Sequence, residues 1–130
     1  MKQRKRINKY NNRKTVVHGV AHNSLVEGRY HQQLEIRKRA GEIKDYECEV
    51  TIELQPKYKK SDGSTVRAIN YKADFVIVHN DNSTEYVDVK GSKASMTPLF
   101  IVKKKMFEYR YKQELKCITW SYAKRCFEVI

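Results

Sequence analysis

The sequence predicts a single α/β domain with a central mixed sheet, whose elements follow the order αβββαβ. Three observations predict it: an early segment with helical periodicity, a switch to strict alternation, and two turn signals that separate three successive strands. The length of 130 residues corresponds to one domain. With 40% apolar and 32% charged residues, the chain has the composition of a folded protein that buries a core.

The N-terminal segment, residues 1–14, is predicted to be a basic flexible arm, and residues 15–130 form the domain. The arm has no hydrophobic period, so it is either a segment that follows a phosphate backbone or a solvated terminus. Residues 15–20 predict a short strand that turns at Gly19.

The first helix is predicted over residues 24–40. Ser24 followed by Glu27 forms a capping box, and Gly41 suits the position just past the helix end. The predicted inward stripe is Val26, Tyr30, Leu34 and the aliphatic stem of Arg37.

Three strands follow the first helix. Apolar and polar residues alternate from Tyr46 to Leu54, which predicts a strand with one wet face that ends at Pro56. Turn signals at residues 61–64 and 80–83 bracket a second strand over residues 67–79, and a third strand covers residues 85–90. The short second turn predicts an antiparallel meander.

A second helix and a closing strand complete the prediction. Thr97 is the expected N-cap and Pro98 the first helical residue. Residues 115–123 form the closing strand, which can pair in parallel with the third strand because a helix connects them. The predicted shared apolar face of this helix is Leu99, Val102, Met106 and Tyr109.

The charge balance indicates a polyanionic partner. Lys and Arg number 27 against 15 Asp and Glu, a formal net charge of +12. Such an excess attracts nucleic acid, although solubility alone or a ribosome-like structural role would also use it.

Three cysteines without a Cys-x-x-Cys pair predict free thiols in a reducing cytoplasm, which is the host cytoplasm if the chain is phage-encoded. No apolar run is long enough to span a membrane. The four histidines lack the partners of a zinc or HNH nuclease motif, so neither is predicted.

The chemistry is predicted on the second and third strands. Asp88 and Lys90 lie two residues apart on one strand, so both point to one face of the sheet about 7 Å apart. Asp74, on the preceding strand of the same hairpin, can lie beside Asp88. Two converging carboxylates repel each other unless a cation neutralises them, and oxygen ligands suit Mg²⁺ or Mn²⁺. The simpler alternative is a solvated surface ion pair, since Asp-x-Lys alone is a weak signal.

This arrangement resembles the PD-(D/E)XK nuclease superfamily, which has a restriction-endonuclease-like αβββαβ core. More narrowly, it is similar to a family of small phage and prophage proteins thought to be nucleases, with a layout comparable to Holliday-junction resolvases of the phage endonuclease I type. The matching segments are residues 24–27, 40–43, 54–56, 71–75, 88–91 and 103–105.

The resemblance implies roles for the matched residues. Asp74 and Asp88 correspond to the metal-binding acids, Lys90 to the catalytic lysine, and Val89 would offer its backbone carbonyl to the metal. Glu27 corresponds to a further acidic ligand on the first helix, and its capping role is the competing interpretation. Many superfamily members have proline before the first aspartate, where this chain has alanine.

Other residues are candidates for contact with nucleic acid. Gln55 ends the first strand, near the expected site, and a surface role is the alternative. Arg29, Lys103, Lys104 and Lys105 are basic positions on the helices, where a wet helical face is the simpler interpretation.

The sequence therefore predicts a Mg²⁺-dependent endonuclease that cleaves DNA, with branched DNA such as Holliday junctions as the expected substrate in phage recombination or replication. A homodimer is expected, because a resolvase needs two active sites. Two alternatives remain open: a non-catalytic nucleic-acid-binding protein on the same fold, and a nuclease that acts on linear or nicked DNA or on RNA.

Overall fold

A computed structural model of the chain describes residues 14–130. It has a five-stranded mixed sheet and two α-helices, α1 (Leu25–Arg39) and α2 (Pro98–Tyr111). The predicted α/β class with a central mixed sheet is thereby confirmed. The predicted basic arm, apart from Lys14, lies outside the described residues.

The strands are β1 (Thr15–Val17), β2 (Val20–His22), β3 (Asp45–Gln55), β4 (Tyr58–Lys59), β5 (Thr65–Val66), β6 (Ile69–Val78), β7 (Thr84–Val89), β8 (Leu115–Ser121) and β9 (Cys126–Val129). A 3-10 turn (Lys93–Ser95) precedes α2. The central sheet has the order β3-β6-β7-β8-β9.

The sheet contains both antiparallel and parallel pairs. Strand β6 pairs antiparallel with β3 and with β7, which confirms the predicted meander. Strands β7 and β8 pair in parallel, as expected from the helix that connects them. The final strand, β9, pairs antiparallel with β8 and was not predicted.

The N-terminal segment forms a hairpin, where one short strand was predicted. Strands β1 and β2 pair with each other, and the turn uses His18 and Gly19, both with positive φ. The hairpin lies close against α1: a Cβ added to Gly28 would come within 2.4 Å of the Thr15 side chain. Only glycine leaves room for this approach.

Helix α1 begins as predicted. The Ser24 hydroxyl accepts the backbone N–H of Glu27 at 3.2 Å, which satisfies one of the free donors of the first turn. Tyr30 and Leu34 are buried against the sheet, as the stripe predicted.

Helix α2 begins at the predicted cap, but of the apolar face predicted for it only Met106 packs against the core. The Thr97 hydroxyl accepts the N–H of Phe100. The buried side chains are Phe100 and Phe107, whereas Leu99 is 64% and Tyr109 78% exposed. Both stripes have helical spacing, and the larger aromatic pair fills the space above the sheet.

The core consists of two clusters, one under each helix. Strand β6 contributes Phe75 and Ile77 to the cluster under α1. It contributes Tyr71 and Ala73 to the cluster under α2. Residues two apart normally face the same side of a strand, so β6 must change face between these pairs, at Asp74.

Strand β3 is irregular at the same level. Glu49 has φ 53°, and it lies between the paired positions Cys48↔Phe75 and Val50↔Ala73, opposite Asp74. A left-handed backbone is costly for a residue with a side chain, and it persists only where the surroundings hold it. Both strands therefore depart from regular alternation where the candidate site lies.

No helix within residues 14–130 is long and apolar enough to cross a membrane.

Candidate active site

The two predicted aspartates lie where β6 and β7 separate. The last paired residues of these strands are Phe75 and Val87, so the next opposing positions are Asp74 and Asp88. The Asp74 carboxylate accepts the backbone N–H of Val89 at 2.8 Å. Beyond this point the Val89 N–H therefore donates to the Asp74 side chain, while Asp88 remains paired with Cys117 of β8.

Asp88 is held on two sides. It is only 5% exposed, and one carboxylate oxygen lies 3.0 Å from Nζ of Lys90. The Tyr71 hydroxyl donates to the other oxygen, and burial, followed by the charge of Asp88, raises the pKa of Tyr71 above its usual range. The ammonium of Lys90 also lies 3.5 Å from the ring centre of Phe100. These contacts fix the lysine beside the acid.

Glu27 joins this pair from α1. Burial raises the pKa of Asp74 to about 8, and the charges of Asp88 and Glu27 add to the effect. Burial also raises the pKa of Glu27 to about 7, with the charge of Asp88 as the second cause. The structure therefore brings together all four predicted catalytic side chains: Glu27, Asp74, Asp88 and Lys90.

The two interpretations of Glu27 are compatible. Its backbone N–H binds Ser24, and its carboxylate accepts a hydrogen bond from the backbone of Asn23. This is the capping interaction. The same carboxylate is only 14% exposed and interacts with the charge of Asp88. Glu27 caps the helix and also belongs to the acidic group.

The donor set suits a hard divalent cation. Three carboxylates converge with a single lysine, so one positive charge faces three negative ones when all are ionised. Carboxylate oxygens are the ligands that Mg²⁺ prefers, and ion binding would offset the repulsion that adds to burial in raising the pKa of Asp74 and Glu27.

Gln55 does not lie near this site, contrary to the prediction. It pairs with Ile69 at the far end of β3, six positions beyond Glu49. That separation is roughly 20 Å along a strand. The prediction failed because the strand is 11 residues long and its middle, not its end, crosses the acidic group.

The predicted basic positions differ in their surroundings. The Arg29 guanidinium lies 4.5 Å from the ring centre of Trp120. Lys103 donates to the carbonyl of Asn70, Lys104 pairs with Glu108 at 3.3 Å, and Lys105 is exposed. Arg29 and Lys105 are exposed, Lys103 and Lys104 are partly buried, and contact with nucleic acid remains a prediction for all four.

Two residues at the site were missed as functional candidates. Tyr71 is a core residue, 4% exposed, and its hydroxyl also donates to Asp88. Glu49 interacts with the charge of Glu27 and pairs with Lys72 at 3.3 Å. In the sequence, Glu49 is one of several alternating polar residues of β3, and nothing distinguishes it from its neighbours.

Fold and site together define a mixed α/β domain with a buried acid–acid–lysine centre. The chain belongs to the family described as "Protein of unknown function (DUF1064)", whose model matches residues 7–127. None of the curated proteins compared with the chain matches it.

Proposed function

We propose that this protein is a Mg²⁺-dependent endonuclease with a restriction-endonuclease-like core, and that it cleaves branched DNA. The observation that carries the proposal is the convergence of Asp74, Asp88 and Lys90, with Glu27, at the point where β6 and β7 separate. Such a set of buried acids has little use in a protein that only binds phosphates, because it repels them.

The residues of the site have distinct roles. Asp74, Asp88 and Glu27 would hold the cation, with the Val89 carbonyl as a further ligand. The bound cation would polarise the scissile phosphate and lower the pKa of a water molecule. Lys90, held by Asp88 and Phe100, would orient the attacking water and stabilise the negative charge that develops on the phosphate.

The substrate class rests on the charge and on the resemblance to junction resolvases. A net charge of +12 favours a polyanion, and contacts with several phosphates make binding depend steeply on salt. A homodimer would present two sites and so cut both strands of a junction. Manganese is expected to replace magnesium, because it accepts the same ligands.

A cleavage assay tests the proposal. Labelled four-way junction, duplex, single-stranded DNA and RNA are each incubated with the protein in Mg²⁺, Mn²⁺ or EDTA. We expect metal-dependent, paired, symmetric nicks in the junction. Asp88→Asn should lower the rate by on the order of 10³-fold while junction binding survives, because the substitution removes a ligand charge.

Asp62→Asn is the matched control. Asp62 is an exposed aspartate in the turn between β4 and β5, so its variant should cleave like the wild type. Salt-sensitive binding without scission in any divalent ion would support the binding-protein alternative and refute the proposal. Preferred cleavage of duplex DNA or of RNA would support the metal site but contradict branched DNA as the substrate.

A further inference from the structure

A second group of ligand-type side chains lies beside the acidic site. It joins β2, α1 and β3 through His22, His31 and Cys48, whose ligand atoms all lie within 4.8 Å of one another. His22 is 1% and His31 2% exposed, and Cys48 is half-buried. Histidine is seldom buried so completely without a specific partner.

The hydrogen bonds around this cluster define the protonation of each ring. The Tyr46 hydroxyl donates to Glu35 at 2.5 Å, so it accepts from Nε2 of His31 at 2.9 Å. A neutral His31 then has a free lone pair on Nδ1, which faces Nε2 of His22 at 2.8 Å. Nδ1 of His22 lies 3.8 Å from the Glu27 carboxylate.

We propose that His22, His31 and Cys48 form a Zn²⁺ site, with Nε2 of His22, Nδ1 of His31 and Sγ of Cys48 as ligands. The ion would replace the proton that the two imidazoles share. That proton moves to Nδ1 of His22, from which it can be donated in a hydrogen bond to the Glu27 carboxylate. The thiol of Cys48 releases its proton to solvent as the sulfur–zinc bond forms.

The geometry needs only modest adjustment. Ligand atoms of a tetrahedral zinc site lie roughly 3.3–3.6 Å apart. The two nitrogens are 2.8 Å apart, and Sγ of Cys48 lies 3.9 Å from either nitrogen of His31. The nitrogens would therefore separate slightly, and Cys48 would rotate so that its sulfur and Nδ1 of His31 each direct a lone pair at the ion.

The surroundings match those of protein zinc sites. A zinc-bound histidine usually donates its other N–H to an outer partner that fixes the ring. His31 has Tyr46 and Glu35 in this position, and His22 has Glu27. The ring of His18, in the turn between β1 and β2, packs against His31 with centroids 5.3 Å apart.

The ligands also separate this site from the nuclease site. Nitrogen and thiolate ligands favour Zn²⁺ or Co²⁺, whereas the acidic group favours Mg²⁺. An ion here would fasten the N-terminal hairpin to α1 and β3. The inference goes beyond the proposed nuclease activity and does not depend on it.

Metal analysis and spectroscopy test the site. The protein, expressed without a histidine tag, is analysed for metal and then titrated with Co²⁺ after removal of zinc. We expect about one Zn²⁺ per chain and a thiolate-to-Co²⁺ charge-transfer band that excess Mg²⁺ leaves unchanged. Cys48→Ser should abolish the band, and Tyr46→Phe should weaken binding by roughly 10- to 100-fold.

Matched controls use ligand types outside the cluster. Cys126→Ser and His79→Gln should keep the band, because Cys126 is exposed on β9 and His79 pairs with Glu85. If Cys48→Ser does not fold, alkylation of the wild type decides: Zn²⁺ should protect Cys48 but not Cys126. Folded wild type that takes up no zinc and shows no band would overturn the proposal.

Discussion

The acidic site and the histidine–cysteine cluster are neighbours that differ in how their polar groups are compensated. In the acidic site, three carboxylates face one lysine, and burial with mutual repulsion raises the pKa of Asp74 and Glu27. In the cluster, neutral side chains satisfy one another, and within residues 14–130 no buried side-chain nitrogen or oxygen lacks a hydrogen-bond partner.

This difference in compensation determines how each region would bind an ion. The acidic site is strained by its own charges at neutral pH, so a cation or protons must compensate them. The cluster is stable as a hydrogen-bonded network, so an ion there must compete with a proton. Only 3.8 Å separates Nδ1 of His22 from the Glu27 carboxylate, which makes this pair the boundary between the two regions.

The largest expected effect is a fall in stability with rising pH that arises in the acidic site. The folded-state pKa values of Asp74 (about 8) and Glu27 (about 7) lie above those of the unfolded chain. Folding stability is therefore greatest below the unfolded pKa and falls as pH rises through the folded values. In EDTA, the free energy of unfolding should fall between pH 6.5 and 8, by up to about 1.4 kcal/mol per pH unit for Asp74. Below pH 6.5 the slope is smaller, because burial lowers the pKa of His22 and His31 and their protonation acts in the opposite direction.

Urea unfolding at several pH values measures this slope. Mg²⁺ should flatten it, because the ion binds the ionised carboxylates, and Asp74→Asn should reduce it in EDTA. A slope that is the same in the wild type and in Asp74→Asn would show that the repulsion does not govern stability.

An intermediate effect is expected in the cluster. In EDTA, His31→Phe leaves the Nε2–H of His22 without a partner in a buried position. This should cost about 1–3 kcal/mol in the free energy of unfolding. The double variant His22→Phe with His31→Phe should recover part of the loss, since no unpaired donor remains.

His79→Phe provides the comparison for this measurement. His79 also has a carboxylate partner, Glu85 at 2.9 Å, but it is partly exposed, so water can replace the lost contact. Equal losses in His31→Phe and His79→Phe would contradict a special role for the buried network.

The smallest effect concerns the boundary residue, Glu27. Ser24→Ala removes the hydroxyl that caps α1 and should cost about 1 kcal/mol while DNA cleavage is retained. Glu27→Gln keeps the backbone N–H that binds Ser24 but removes the charge, so cleavage should fall. The two variants are compared by unfolding and by junction cleavage. Equal cleavage by both would show that Glu27 serves only to cap α1 and has no part in cleavage.

The sequence predicts those features that depend on periodicity alone. Alternation placed Asp88 and Lys90 on one face, and a short turn brought Asp74 beside them, because hairpin pairing is local. The capping pattern at Ser24 located α1 for the same reason. These parts of the fold and the site follow from residues that are close in the chain.

Features that depend on packing could not be predicted. The exposed stripe of α2 has the same helical spacing as the buried pair Phe100 and Phe107. The change of face at Asp74 depends on backbone angles. Gln55 was misplaced because the middle of β3, and not its end, crosses the acidic group. His22, His31 and Cys48 are 9 and 17 residues apart and match no ligand motif, so only the tertiary structure brings them together.

Gly28 shows how a residue without a side chain can control both regions. An added methyl group would collide with Thr15, and the hairpin would have to move away from α1. His22 would move with the hairpin, and Glu27 adjoins Gly28 in the chain. A substitution at this position would therefore disturb both the acidic group and the histidine–cysteine cluster, although Gly28 itself belongs to neither. In a mutational scan, it would be mistaken for an active-site residue.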